Sequence, residues 1–300
     1  MRIVVTGATG FIGGPLLKAL IRDGHAVTVL SRTARSSPDV TYLAWDGRTV
    51  GDWAPAVDGA DAVIHLAGDP IAEGRWTPAK KARIRNSRIA GTAAIVTAIE
   101  RADVRPKVLI SGSAVGFYGP RGTHRITEAE GPGRDFLSQV CLEWESTARL
   151  VAVSGVRLVL LRTGIVLGNA GGALAKLLPL FRMGLGGSLG SGKQGFSWIH
   201  LDDEVGLILW ALENDAVSGP LNASAPEPVS NADFTRALNH AVGRPGFLPV
   251  PAFALRLGMG EQADMLLTGA YAYPQQAQDK GYTFRFPTLS TALSDIVAGT

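Results

Sequence analysis

The chain has 300 residues, 46% of them hydrophobic and 18% charged, with 37 glycines. That is enough apolar material for one large α/β body, or a domain with a smaller lobe, and it excludes a disordered chain. Lys and Arg outnumber Asp and Glu by 29 to 26, a net charge of +3 spread along the chain, which argues against a nucleic-acid partner.

A strand pattern starts at the second residue. Arg2–Thr6 is a continuous apolar run, as expected of a central parallel strand covered on both faces. No secretory leader is therefore expected. No run of about 18 apolar residues predicts a membrane span. The single Cys141 excludes an intrachain disulfide and suits a reducing cytoplasm, the expected compartment.

Helical spacing over 11–23 stops at Gly24. Strands follow at Ala26–Ser31, Val40–Ala44 and 62–66. A long helix is predicted over 78–102, opening on a proline. A strand at 107–111, a helix at 134–154 and a strand at 156–161 complete the alternation. This pattern predicts an α/β fold, a doubly wound parallel sheet with right-handed crossovers. From Gly168 the character changes. A short strand at 198–201 and a helix at 202–213 precede a mostly helical, proline-marked tail. The expected division is residues 1–167 as the dinucleotide-binding domain, with a sheet that also takes in later short strands, and 168–300 as a smaller substrate lobe. The basic run Lys80, Lys81, Arg83, Arg85 and Arg88 reads mainly as a solvated helix face.

The strongest local signal is Thr6-Gly7-Ala8-Thr9-Gly10-Phe11-Ile12-Gly13. Gly7 permits a tight turn, Gly10 lets backbone approach a pyrophosphate, and Gly13 allows close helix–strand packing. The helix start at Phe11 and Ile12 offers free N–H groups and the positive end of a dipole. This is the Rossmann fingerprint in its strand–turn–helix context. The second strand ends Leu30-Ser31-Arg32, without the acid that an NAD enzyme places there. Arg32 suits a 2′-phosphate, with Ser31 donating and Arg35 assisting, so NADP(H) is expected over NAD(H). The alternative is that Arg32 only stacks on adenine. After the fourth strand, Leu66, Ala67 and Gly68 are expected to pass under the adenosine side, and Ser111 ends the fifth strand nearby. His65 reads as a packed strand residue. No metal site is expected.

TGATGFIG, HLAG at 65–68, SGSAVGFYG at 111–119 and WIHLDD at 198–203 resemble the extended short-chain dehydrogenase/reductases. LSR at 30–32, RWT at 75–77, NSRIAGT at 86–92, DFLSQVCLEWE at 135–145, LRTGIVLG at 161–168 and the stretch 184–203 resemble an atypical branch of that group. That branch is NAD-dependent epimerase-like, of unknown activity, and has its own small C-terminal domain, here from about 247. The resemblance implies that Ser31 and Arg32 hold the 2′-phosphate and that Leu66 and Ala67 line the ribose. It also implies that Arg88 reaches the phosphates and Ile165 lies near the nicotinamide. It leaves a homodimer as an analogy only.

The usual Tyr-x-x-x-Lys pair is missing. Aligning Glu145 with the acid after the lysine puts Leu137 and Cys141 at the pair's positions, and neither does that chemistry. Ser113 and Tyr118 are the remaining catalytic candidates. Two readings stay open: an NADP(H)-dependent oxidoreductase or epimerase-like enzyme acting on a small molecule, or a non-catalytic protein that senses the cofactor's redox state.

Overall fold

The structure, a computed structural model, describes residues 1–33, 35, 37–246 and 249–299. The first half runs β1 (Arg2–Thr6), α1 (Gly13–Arg22), β2 (Ala26–Ser31), β3 (Val40–Ala44), β4 (Ala62–His65), α2 (Pro78–Arg101), β5 (Val108–Ala114), β6 (Arg125–Ile126), α3 (Phe136–Arg149) and β7 (Arg157–Thr163). The second runs β8 (Ile165–Leu167), α4 (Gly172–Arg182), β9 (Gly195–Phe196), β10 (Trp198–His200), α5 (Leu201–Glu213), β11 (Gly219–Ala223), β12 (Val229–Ser230) and α6 (Asn231–Ala241). It ends with α7 (Ala252–Met259), α8 (Asp264–Leu267), β13 (Tyr271–Ala272), α9 (Gln275–Asp279) and α10 (Leu289–Ala298).

Seven strands form one sheet in the order β11-β7-β5-β4-β1-β2-β3, and every pairing in it is parallel. The chain moves outward from β1 to β3 and then restarts at β4 on the other side of β1. That reversal makes the crevice where such sheets bind ligands. Period-two alternation assigns the faces. Ile3 and Val5 join Leu16 and Leu20 of α1 and Leu207 and Ile208 of α5 in one core. Val4 and Val63 join Ile95 and Ile99 of α2 in the other.

The first four strands lie where the apolar runs predict them. Helix α1 starts at Gly13 rather than 11, because the preceding residues curve to form the glycine loop. The helix expected over 134–154 is α-helical only to Arg149. It then tightens into a 3-10 turn over Leu150–Ser154 and ends at Gly155, φ +74°. Strand β7 runs to Thr163, beyond the expected 161, and carries Arg162 inside the sheet.

The second half combines helices and short strands. Beside the β8–β10 pair, Leu174, Phe181, Trp198, Phe234 and Ile296 pack a separate core. The basic run on α2 departs from the solvated face expected of it. Lys80 is buried against Asp69 at 2.5 Å and Arg88 is half-buried, while Arg83 and Arg85 are exposed.

Candidate cofactor site

The glycine loop lies at the carboxyl end of β1. Gly7 has φ +75°, and a Cβ there would stand 2.8 Å from the Leu66 carbonyl carbon. A Cβ on Gly13 would stand 2.1 Å from the Gly7 carbonyl oxygen, so only glycine lets α1 start this close. Gly10 differs: a Cβ there would meet only the Gly7 oxygen, at 3.3 Å. The turn is closed by Gly10 N–H donating to that oxygen at 3.0 Å. No side chain caps α1; within its first turn Gly14 N–H donates to the Gly10 carbonyl at 2.9 Å, residue 15 is a proline and Leu16 N–H donates to the Ile12 carbonyl at 3.1 Å, so the amides left without an acceptor among the described residues are those of Phe11, Ile12 and Gly13. Phe11 turns toward the second half, where its ring lies over Gly168, Gly171 and Gly172, and Ile12 is half-buried at the helix cap.

Across the crevice, Ala67 N–H donates to Thr6 Oγ1 at 3.2 Å, fixing Leu66 and Ala67 beside the loop. His65 is buried between Thr6, 2.7 Å from its Nδ1, and Thr92, 3.1 Å from its Nε2. Burial pushes its pKa down to about 4, so it is a neutral packing residue. Gly68 is exposed, and a Cβ there would sit 3.2 Å from the Arg88 guanidinium. Arg88 Nη1 donates to the Asp69 and Ile84 carbonyls, both at 3.0 Å, and its guanidinium stacks over Trp144 at 5.2 Å. Burial lowers its pKa, and its remaining nitrogens have no partner among the described residues. Ser31 accepts from Thr33 N–H at 3.3 Å. Arg32 is exposed, with no hydrogen bond or ion pair among the described residues. A groove of about 300 Å³ lined by Trp45, Asp46 and Trp53 opens at the neighbouring end of β3.

The sequence-predicted residues Gly7, Gly10, Gly13, Ser31, Arg32, Leu66, Ala67, Gly68 and Arg88 thus line the carboxyl edge of β1, β2 and β4. Ser111 is fully buried in β5, its hydroxyl directed at the Gly112 carbonyl at 3.4 Å. Ile165 is half-buried at the start of β8, beyond the end of β7. Arg35 is exposed. Among the described residues, no cluster of three His, Cys, Asp or Glu is placed to hold a metal.

The catalytic candidates sit in a different setting. Ser113 is 5% exposed and donates to Glu145 Oε1 at 2.8 Å. Glu145 pairs with Arg162, Nε to Oε1 at 2.8 Å and Nη2 to Oε2 at 2.9 Å. Arg162 Nη1 donates to the Tyr118 hydroxyl at 2.9 Å, and that hydroxyl donates to Asn222 Oδ1 at 2.6 Å. Tyr118 is wholly buried, and burial pushes its pKa up to about 12. Leu137 lies half-buried beside Gly116, and Cys141 is buried. Burial pushes the Cys141 thiol up to about 12 even though Arg88 and Arg162 are near enough to oppose it. Those two cationic neighbours are not visible from the thiol's own helix. The Glu145–Arg162 pair was also missed by sequence reading. Its one signal was Arg162, a charged residue following directly on the apolar strand expected at 156–161, which demands a partner when buried. Trp198 and His200 are core residues, the imidazole stacked 3.9 Å from the Phe286 ring.

The NAD dependent epimerase/dehydratase family matches residues 3–223. The chain belongs to that family. Residues 250–296 match a second family, a domain of unknown function, DUF1731. The expected boundary at 247 falls on a position outside the described residues. Among relatives of the chain, "Epimerase family protein SDR39U1 homolog, chloroplastic" of Arabidopsis thaliana is 43% identical over 304 residues, 99% of this chain and 87% of that one. The human epimerase family protein SDR39U1 is 39% identical over 303 residues, 99% of this chain and 100% of its own. A crystal structure of human SDR39U1 (isoform2) with NADPH superposes at TM-score 0.91 and 36% identity, covering 100% of both chains. The nucleoside-diphosphate sugar epimerase from Corynebacterium glutamicum superposes at 0.81 and 32% identity, covering 99% of this chain and 58% of that one.

Proposed function

We propose that the chain binds NADP(H) in preference to NAD(H) and acts as an oxidoreductase or epimerase-like enzyme on a small molecule, without a Tyr-x-x-x-Lys pair. The carrying observation is Arg32, an exposed guanidinium without a partner among the described residues, at the end of β2 beside Ser31. A carboxylate there would repel a 2′-phosphate, whereas a guanidinium pairs with one. The crystal of the human relative with NADPH supports the same choice.

The site fits the dinucleotide on its own geometry. Gly7 and Gly13 have no room for a side chain, α1 is uncapped, and Arg88 keeps unused donors beneath Gly68. In this reading the open Gly10 backbone and the free amides of Phe11, Ile12 and Gly13 hold the pyrophosphate, Arg88 adds charge, Leu66 and Ala67 back the ribose, and Ile165 borders the nicotinamide. Bound there, the cofactor supplies hydride chemistry. The chain's residues supply position and charge, and water or the substrate supplies the proton that Ser113 and Tyr118 withhold.

A second reading, a redox sensor without turnover, is favoured by the closed Ser113–Glu145–Arg162–Tyr118 network. Calorimetry separates cofactor choice from chemistry. Arg32→Asp weakens NADPH binding at least tenfold, about 1.4 kcal/mol, and spares NADH. Unchanged NADPH affinity refutes the assignment. NADPH oxidation in a carbonyl and nucleotide-sugar screen supports the enzyme; tight binding with no turnover supports the sensor.

A further inference from the structure

The match to the C-terminal domain of unknown function starts at residue 250. Its first helix, α7, has no buried residue, and Phe253 and Leu257 stand 74% and 79% exposed. A helix with so little apolar burial resists local opening weakly. Bonds to the other half of the molecule hold it in place. Arg75 Nη2 donates to the Leu257 carbonyl at 3.0 Å and to the Gly258 carbonyl at 2.7 Å, and its Nε donates to the latter at 3.1 Å. These are among the last carbonyls of α7, which lack partners inside the helix and carry the negative end of its dipole. A guanidinium more than 180 residues away in sequence thus caps the helix. Just beyond, the buried Gln262 donates to the Ile71 carbonyl at 3.2 Å, and Glu261 pairs with Lys81 at 2.7 Å.

All these bonds land on residues 71–81, which continue the cofactor wall. That wall begins at Leu66–Ala67–Gly68 and is stapled at Asp69. The Asp69 amide donates to Ser87 Oγ at 2.9 Å, its carbonyl accepts from Arg88, and its carboxylate pairs with Lys80. Arg88, on one side of the loop, and the α7 terminus, on the other, are therefore joined through about a dozen residues anchored at both ends.

Given the cofactor reading proposed above, we infer that the C-terminal domain is a lid, that α7 is its moving part, and that Arg75 is the catch linking lid closure to cofactor occupancy. A dinucleotide that orders the wall steadies Arg75, and Arg75 steadies α7. Linkage makes the effect reciprocal, so loosening the catch weakens cofactor binding.

Hydrogen–deuterium exchange on the full chain, with and without NADPH, tests this. In the wild type, NADPH slows exchange at least fivefold at both 7–14 and 253–263. In Arg75→Ala, protection at 7–14 survives, the gain at 253–263 is lost, and NADPH affinity falls about fivefold. Arg75→Lys, which keeps one donor group, recovers part of both. Arg75 is exposed, so matched melting temperatures show that the variants remain folded. Protection at 7–14 with unchanged exchange at 253–263 in the wild type overturns the lid. So does a full gain at 253–263 in Arg75→Ala. No protection at 7–14 overturns the cofactor reading, and the lid with it.

Discussion

Two corners of the sheet's carboxyl edge treat their polar groups in opposite ways. Around β1, β2 and β4 donors are left open: α1 is uncapped, Arg32 has no partner among the described residues, and Arg88 bonds through one nitrogen. Around β5, α3 and β7 polar groups close on one another, from Ser113 through Glu145 and Arg162 to Tyr118 and Asn222. Matched groups can be buried at little cost, whereas an unmatched donor is costly unless water or a ligand reaches it. The first corner therefore has the polar character that the proposed cofactor site needs, and the second ties α3 to the sheet.

The contrast can be broken first at the closed corner. Glu145→Ala leaves Arg162 buried without its counter-charge and is expected to cost about 3–5 kcal/mol in urea unfolding. A variant of normal stability that loses only turnover would make that corner catalytic instead.

His65, between the corners, gives a pH signature. Its unfolded pKa is near 6.5 and its folded pKa about 4, so the unfolded chain binds the proton first as pH falls. Stability is then lost between about pH 6.5 and 4, by up to about 3 kcal/mol. His65→Gln is expected to show a shallower decline over that window in parallel thermal melts, and an identical decline would remove the assignment.

At the open corner, Gly10→Val is expected to weaken both NADPH and NADH at least a hundredfold, about 2.8 kcal/mol, by filling the pyrophosphate approach. A Cβ there would press on the Gly7 carbonyl oxygen at 3.3 Å, so a melting curve is recorded alongside to separate loss of binding from loss of fold. Ordinary binding by calorimetry would show that the dinucleotide lies elsewhere. The smallest effect is expected at Leu137→Phe, which should change NADPH affinity and any turnover less than about twofold. A larger change places Leu137 against the reacting centre.

The open corner was legible in the sequence because its logic is local. A buried parallel strand is a continuous apolar run, and Gly7 and Gly13 announce backbone approaches within a few residues of themselves. Ser31, Arg32 and Leu66 follow from strand ends. The closed corner was not legible, because Glu145 and Arg162 lie on different elements 17 residues apart, and periodicity says which face a residue occupies but not which distant group meets it. Lys80 was misread for the same reason: its helix looks solvated until Asp69 is placed beside it. The Arg75 bonds to α7 span still more chain and leave no trace in spacing.

Strand β11 has a consequence for how the molecule can be taken apart. It pairs with β7 only after the chain has travelled through β8, α4, β10 and α5. A fragment ending at 167 would present the whole flank of β7 as bare, apolar main chain, an invitation to self-association. The half that carries the glycine loop is thus not a severable module. It reaches its finished width only once a later stretch has come home, which ties the two halves into a single late step of assembly.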